Sequence, residues 1–183
     1  MPTSFYYDNK TVTELNRGGI VVGRTDTIYG ILARSDMPSA VEQVYLLKGR
    51  AQTKPCIILI NNAEQVANFG VDREYIDRAT SYWPAPVTLI LPTNKAPKYL
   101  TRGGSSLAFR LPESREMRKL IAQTGPLIAP SANPEGMPPA LTINQARSYF
   151  SETIDYYVGD NNIVNKQAST ILELESAMVK QIR

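Results

Sequence analysis

Gly18-Gly19-Ile20-Val21-Val22-Gly23-Arg24-Thr25-Asp26-Thr27-Ile28-Tyr29-Gly30 is the stretch on which the fold turns. The spacing Gly18-x-x-x-x-Gly23-Arg24-Thr25 looks like a degraded phosphate-binding loop, and that reading fails on three counts. Arg24 stands where such a loop carries lysine, the β-branched run Ile20-Val21-Val22 fills the would-be loop, and no helix is signalled at Thr25. The remaining reading is a buried strand at 20–22, a turn at Thr25-Asp26-Thr27 and a second strand entering at Tyr29-Gly30. No Gly-x-Gly-x-x-Gly occurs anywhere in the chain, so a dinucleotide-binding half has no support either.

Upstream, Thr11 with Glu14 predicts a capping box and a short helix that Gly18-Gly19 closes. Downstream, Pro38 and a Ser39/Glu42 box predict a helix carrying Val41, Val44, Tyr45 and Leu47 on one side and ending at Lys48-Gly49. Further strands are predicted at 56–60, 87–91, 106–110, 127–129, 156–158 and 169–174. Further helices are predicted at 72–83, 114–122 and 142–150, the last opened by a Thr142/Gln145 box. Short strands and helices mixed within 183 residues predict one domain over 1–183, of α/β or α+β class, on a mixed sheet. Two long irregular stretches, 93–105 and 130–141, have the length of functional loops.

Composition removes whole classes of chemistry. The chain has no histidine and one cysteine, Cys56. Histidine-based hydrolases, zinc sites of the His-Glu-x-x-His type, zinc fingers, histidine-held haem and an internal disulfide are therefore excluded. Cys56, inside an apolar run, reads as a small core residue. No apolar run exceeds five residues where a membrane span needs about 20. Met1-Pro2-Thr3-Ser4-Phe5 has neither the charge nor the apolar stretch of an export signal, and a cytoplasmic protein is expected. The net charge is only +3, but residues 95–119 hold seven cations against Glu113 and Glu116. That local excess predicts an anion-binding face.

Polar residues gather at the predicted strand and helix ends, where open α/β sheets build sites. They are Thr25, Asp26, Thr27 and Tyr29; Lys48, Arg50 and Lys54; Arg110; and Ser131 and Asn133. Taken singly, Lys48 and Arg50 fit a helix C-terminus, which favours cations, as well as they fit a ligand. Thr25-Asp26-Thr27 fits a plain turn, and Ser131-Ala132-Asn133 fits loop punctuation. Arg110, at the end of an apolar strand, is different: a buried guanidinium needs an anion.

Five segments in register resemble the YrdC/TsaC family of threonylcarbamoyl-AMP synthases. They are 19–30, Lys48-Gly49-Arg50 with Lys54-Pro55, Trp83-Pro84-Ala85-Pro86-Val87-Thr88-Leu89, Ala108-Phe109-Arg110-Leu111-Pro112, and Ala129-Pro130-Ser131-Ala132-Asn133 with Gly136 and Thr142. Late in the chain, Ser169-Thr170-Ile171 and Ile182-Arg183 also resemble family segments. Arg24, Ala51 and Ala85 depart from the family's usual proline, proline and glycine. The resemblance implies a twisted mixed sheet flanked by helices around a large basic cleft. It implies a reaction of L-threonine, bicarbonate and ATP giving threonylcarbamoyl-AMP and pyrophosphate, with partner proteins completing the transfer to tRNA. On this reading Lys48 and Arg50 serve the ATP phosphates, and Ser106, Asn133, Thr142 and Arg183 also contact the nucleotide. Arg110 takes the threonine carboxylate, and Thr25, Lys54, Ser131 and Ser169 shape the amino-acid pocket. Mg2+ is expected with ATP, with no metal site built by the protein itself. The rival is a non-enzymatic RNA-binding protein whose basic 95–119 segment follows a phosphate backbone; weak tRNA binding is compatible with either.

Overall fold

A computed structural model describes residues 7–162, 167–175 and 178–183. Met1-Pro2-Thr3-Ser4-Phe5, read above for an export signal, lies outside the described residues. The strands are β1 (Val21–Arg24), β2 (Tyr29–Arg34), β3 (Ile57–Leu59), β4 (Val87–Pro92), β5 (Ser106–Arg110), β6 (Leu127–Ile128), β7 (Tyr156–Val158), β8 (Thr170–Leu174) and β9 (Val179–Gln181). They form one sheet in the order β7-β1-β2-β6-β3-β5-β4-β8-β9. The β1/β7, β3/β5 and β4/β8 pairs are parallel and the others antiparallel, as a mixed sheet requires. Around the sheet lie α1 (Asn9–Asn16), α2 (Pro38–Lys48), α3 (Arg73–Ala79), α4 (Lys98–Thr101), α5 (Arg115–Thr124) and α6 (Ile143–Phe150), with short 3-10 turns at Ala63–Phe69 and Ser151–Thr153.

The strands read as apolar runs because much of the sheet is covered on both faces. Val22, Ile31, Ile58 and Ile128 pack with residues of α2, α3 and α6, among them Val44, Ile76 and Ala146. Their neighbours Val21, Leu32, Leu59 and Leu127 pack the other way, against Leu15 of α1 and Met117, Leu120 and Ile121 of α5. On β5 and β4 only the first of these faces is filled by core, through Leu107, Phe109, Leu89 and Leu91. The alternate residues Ser106, Ala108, Arg110 and Ile90 line a cavity. Register fixes this: Ile57 lies opposite Ala108, Leu59 opposite Arg110, and Ile90 opposite Ala108.

Two local signals resolve differently from the sequence reading. α1 starts one turn earlier than a Thr11 cap would place it, because Asp8 accepts from both the Thr11 amide and its hydroxyl at 2.8 Å. α2 has Met37 at its N-cap and no side-chain cap; Pro38 sets the first turn, and Glu42 pairs with Arg102 at 2.8 Å. The Thr142/Gln145 box holds, with Thr142 Oγ1 accepting from the Gln145 amide at 3.1 Å. α3 is shorter than the predicted 72–83, α4 lies within the 93–105 stretch, and β9 was not signalled. No helix among the described residues is long and apolar enough to cross a membrane.

Gly70 closes the turn Ala63–Phe69 at φ 80° and ψ 34°. A Cβ there would stand 2.6 Å from the Lys95 amide nitrogen and 2.4 Å from Asn94 Oδ1. Gly70→Ala combines a left-handed backbone with a backbone collision and is expected to cost roughly 2–3 kcal/mol. Urea unfolding checks this: the midpoint falls with the slope unchanged.

Candidate active site

The cavity has a volume of about 400 Å³. Arg50, Arg110 and Arg183 line it together with the hydroxyl residues Thr25, Thr27, Ser106, Ser131 and Ser169, and no Asp or Glu is among the described residues that line it. Histidine and cysteine being absent from its walls, its chemistry is that of fixed cations and hydroxyl dipoles.

Each wall is positioned by backbone. Thr25 closes the turn between β1 and β2: its amide donates to the Ile28 carbonyl at 3.1 Å and its hydroxyl to the same oxygen at 2.6 Å. The Thr27 amide donates to Thr25 Oγ1 at 3.2 Å. The triplet is thus both a turn and a cavity wall. Opposite it, Ser131 is held against β2 by its bridge to Gly30. Tyr29 also lines the cavity; its hydroxyl donates to the Asp160 carbonyl at 2.8 Å and ties this wall to the turn after β7.

Arg110, the last residue of β5, is buried, and its Nη2 lies 3.0 Å from Asp26 Oδ1. Burial pushes its guanidinium pKa down, while Asp26 opposes that shift. Among the described residues its Nε has no hydrogen-bond partner, so donor capacity remains for a second anion. Arg50 is set by its own loop, with Nε on the Lys54 carbonyl at 3.1 Å and Nη2 on the Pro55 carbonyl at 3.0 Å.

Arg183 lines the cavity. The β8/β9 hairpin folds the end of the sequence back, with the Ile171 amide on the Arg183 carbonyl at 2.9 Å. The Arg183 Nε and Nη2 donate to the Ser169 carbonyl at 3.2 and 3.0 Å. Ser169 Oγ stands 2.8 Å from Thr88 Oγ1.

Four residues expected at the site lie outside the cavity lining. Lys48 is only 2% exposed, and its Nζ donates to the carbonyls of Ser131 and Asn133, both at 2.5 Å. Burial, aided by Arg50, pushes its pKa down to about 8. Lys48 thus grips the 131–133 backbone. Asn133 is buried with its amide on the Pro134 and Met137 carbonyls at 2.9 and 2.6 Å. Lys54 is exposed and pairs with Glu135 at 3.1 Å, an interaction that holds the Glu135 carboxyl below the usual carboxylate range. Thr142 serves as the cap of α6.

Several cations of the basic 95–119 segment already have partners within the chain. Arg102 stacks on the Tyr45 ring at 3.7 Å, Arg118 donates to the Pro112 and Glu113 carbonyls, and Lys119 pairs with Glu116. Of the seven cations only Arg110 lines the cavity. Cys56 is a buried free thiol whose pKa is raised by burial, in keeping with a core role. Tyr29 stands among the polar residues at strand ends in the sequence but received no specific role, Thr88 was only part of a quoted segment, and Glu135 was not singled out. An acid between Pro134 and Gly136 was the available signal for the last.

Among known proteins, the threonylcarbamoyl-AMP synthase of Pseudoalteromonas translucida is 31% identical over 174 residues, covering 92% of this chain and 93% of that protein. The threonylcarbamoyl-AMP synthase of Pseudomonas fluorescens is 29% identical over 169 residues, covering 91% of each. Among solved structures, Sua5 of P. abyssi in complex with L-threonine superposes with a TM-score of 0.85 at 28% identity, covering 95% of this chain. This chain spans about half of that one, 52% of its length. The model of the Sua5, YciO and YrdC proteins, described as telomere recombination, matches residues 13–183. Nearly the whole chain, including every wall of the cavity, falls within that match, and it belongs to the Sua5/YciO/YrdC family.

Proposed function

We propose that the chain is a threonylcarbamoyl-AMP synthase, a nucleotidyltransferase that supplies the threonylcarbamoyl group for tRNA modification. The observation that carries this reading is a cavity walled by Arg50, Arg110, Arg183 and hydroxyls, with no Asp or Glu among the described residues that line it, in a chain similar over 91–92% of its length to proteins of that name. The ammonium group of L-threonine and bicarbonate give a carbamate, releasing water and a proton. A carbamate oxygen then attacks the α-phosphorus of ATP and pyrophosphate leaves. The nucleophile comes from the substrate, so the protein's task is to hold reactants in line and to offset charge.

In this assignment Arg110 takes the threonine carboxylate, because a guanidinium fork matches a carboxylate, and Thr25, Ser131 and Ser169 shape the pocket around it. Arg50, Arg183 and Ser106 face the nucleotide. Lys48 and Asn133 act from behind by fixing the loop that carries Ser131, Lys54 acts through Glu135, and Thr142 through α6. No group of three or more acidic or cysteine side chains suited to a metal gathers among the described residues. Asp26 is engaged by Arg110. Mg2+, expected with ATP, would be held by phosphate oxygens of the triphosphate. We read residues 1–183 as one domain acting in the cytoplasm, with its adenylate passed to partner proteins that modify tRNA. Arg102, Arg118 and Lys119 of the 95–119 segment are engaged by Glu42, by backbone carbonyls and by Glu116, which speaks against an RNA-binding protein without catalysis.

Pyrophosphate release from ATP, with L-threonine and bicarbonate omitted in turn, tests the reading: release requiring both supports it, and release indifferent to threonine overturns it. Arg50→Ala is expected to slow that release by about a hundredfold. Its melting temperature should stay close to the parent's, because only two loop carbonyls and a distant Glu135 lose a partner.

A further inference from the structure

The hydroxyls of Thr88 and Ser169 form a buried pair with unequal surroundings. Thr88, on β4 opposite Ile171 of β8, is fully buried. Its Oγ1 contacts Ser169 Oγ at 2.8 Å and has no other hydrogen-bond partner among the described residues. Ser169 is buried too but forms part of the cavity wall. If Ser169 gave its proton to Thr88, the Thr88 proton would be stranded in the core without an acceptor, an expensive arrangement. If Thr88 donates to Ser169, both protons find use: Ser169 accepts from behind, and its own O–H turns to the cavity. The same residue's carbonyl holds the Arg183 guanidinium, so its backbone is fixed while its hydroxyl is aimed.

We propose that Thr88 is a positioning residue that makes Ser169 a hydrogen-bond donor to an oxygen of the bound amino acid. The inference rests on the synthase reading above. It demands a substrate oxygen that accepts at this point, which a carboxylate, a hydroxyl or a carbamate satisfies and an ammonium does not.

The test is a double-mutant cycle on the full chain, with L-threonine as the probe in calorimetry and in steady-state pyrophosphate release. Thr88→Val, nearly isosteric, is expected to raise KM for L-threonine about five- to tenfold, with kcat and KM for ATP within about twofold of the parent. Thr88→Ser, which keeps the donor, restores the parent value. In a Ser169→Ala background Thr88→Val adds less than about twofold, because its route of action is already gone. An unchanged KM for L-threonine in folded Thr88→Val overturns the proposal, as does a full additional loss in the Ser169→Ala background. Should Thr88→Val fail to fold, Thr88→Cys carries the same cycle with a weak donor of similar size. A parent chain that binds ATP but neither binds nor requires L-threonine removes the synthase reading itself, and the role of Thr88 with it.

Discussion

Arg110→Ala is expected to abolish threonine-dependent pyrophosphate release and to lower the free energy of unfolding by about 3–5 kcal/mol. The two losses have separate causes. Arg110 and Asp26 are both buried, 3.0 Å apart. Removing the cation leaves a carboxylate in the core without its guanidinium, which accounts for the stability loss. Removing the fork from the cavity wall takes away the donors assigned to the threonine carboxylate, which accounts for the activity loss. Arg110→Ala combined with Asp26→Asn separates them: urea unfolding should recover most of the lost stability while pyrophosphate release stays absent. Arg110→Lys keeps a charge but presents no planar fork, and is expected to retain the fold with a KM for L-threonine raised at least about tenfold. Substantial activity in the Arg110→Ala chain would remove this residue from substrate binding, whatever its effect on stability.

Much of this site was legible because its parts sit at strand ends, and strand ends could be located. Apolar runs with turn residues after them placed Thr25, Arg110 and Ser131 where the cavity is. Rejecting the phosphate loop at 18–25 was sound for a physical reason: Thr25 caps its own turn through Ile28, and β2 follows instead of a helix. What was not legible shares a cause as well. Composition near Lys48 reveals a cation, but not that its ammonium meets two carbonyls contributed from 131–133. The Ser/Thr-x-x-Glu signals at Thr11 and Ser39 are local, and Asp8 and Pro38 start those helices by other means. β9 is exposed along its length and so lacks the apolar pattern that marked the other strands. That omission hid the hairpin that brings Arg183 to the cavity. Thr88 is a single polar residue in an apolar strand, and only its contact with Ser169 gives it meaning.

Lys48→Met is expected to lose about a hundredfold in pyrophosphate release although Lys48 lies outside the cavity lining. The ammonium holds two carbonyls of the segment that carries Ser131, and the Glu135 amide returns a bond to the Lys48 carbonyl at 2.7 Å. Without that grip the wall shifts, so the defect should spread over KM for both substrates and kcat instead of falling on ATP alone. The pH dependence of stability gives an independent check. The pKa of Lys48 is about 8 in the folded chain, against an ordinary value of 10.5. Below pH 8 both states hold the proton and the contribution is flat. Between about 8 and 10.5 the unfolded chain holds more protons than the folded one, so this residue makes stability rise with pH. Deprotonation spares the two contacts, because a neutral amine still carries two N–H groups for two carbonyl oxygens. From pH 7 to 9.5 the parent should therefore gain roughly 2 kcal/mol relative to Lys48→Met, read as the difference between their urea midpoints. Parallel pH curves for the two chains would mean that Lys48 does not titrate in this range. Unimpaired turnover in Lys48→Met would mean that the 131–133 wall stands without it.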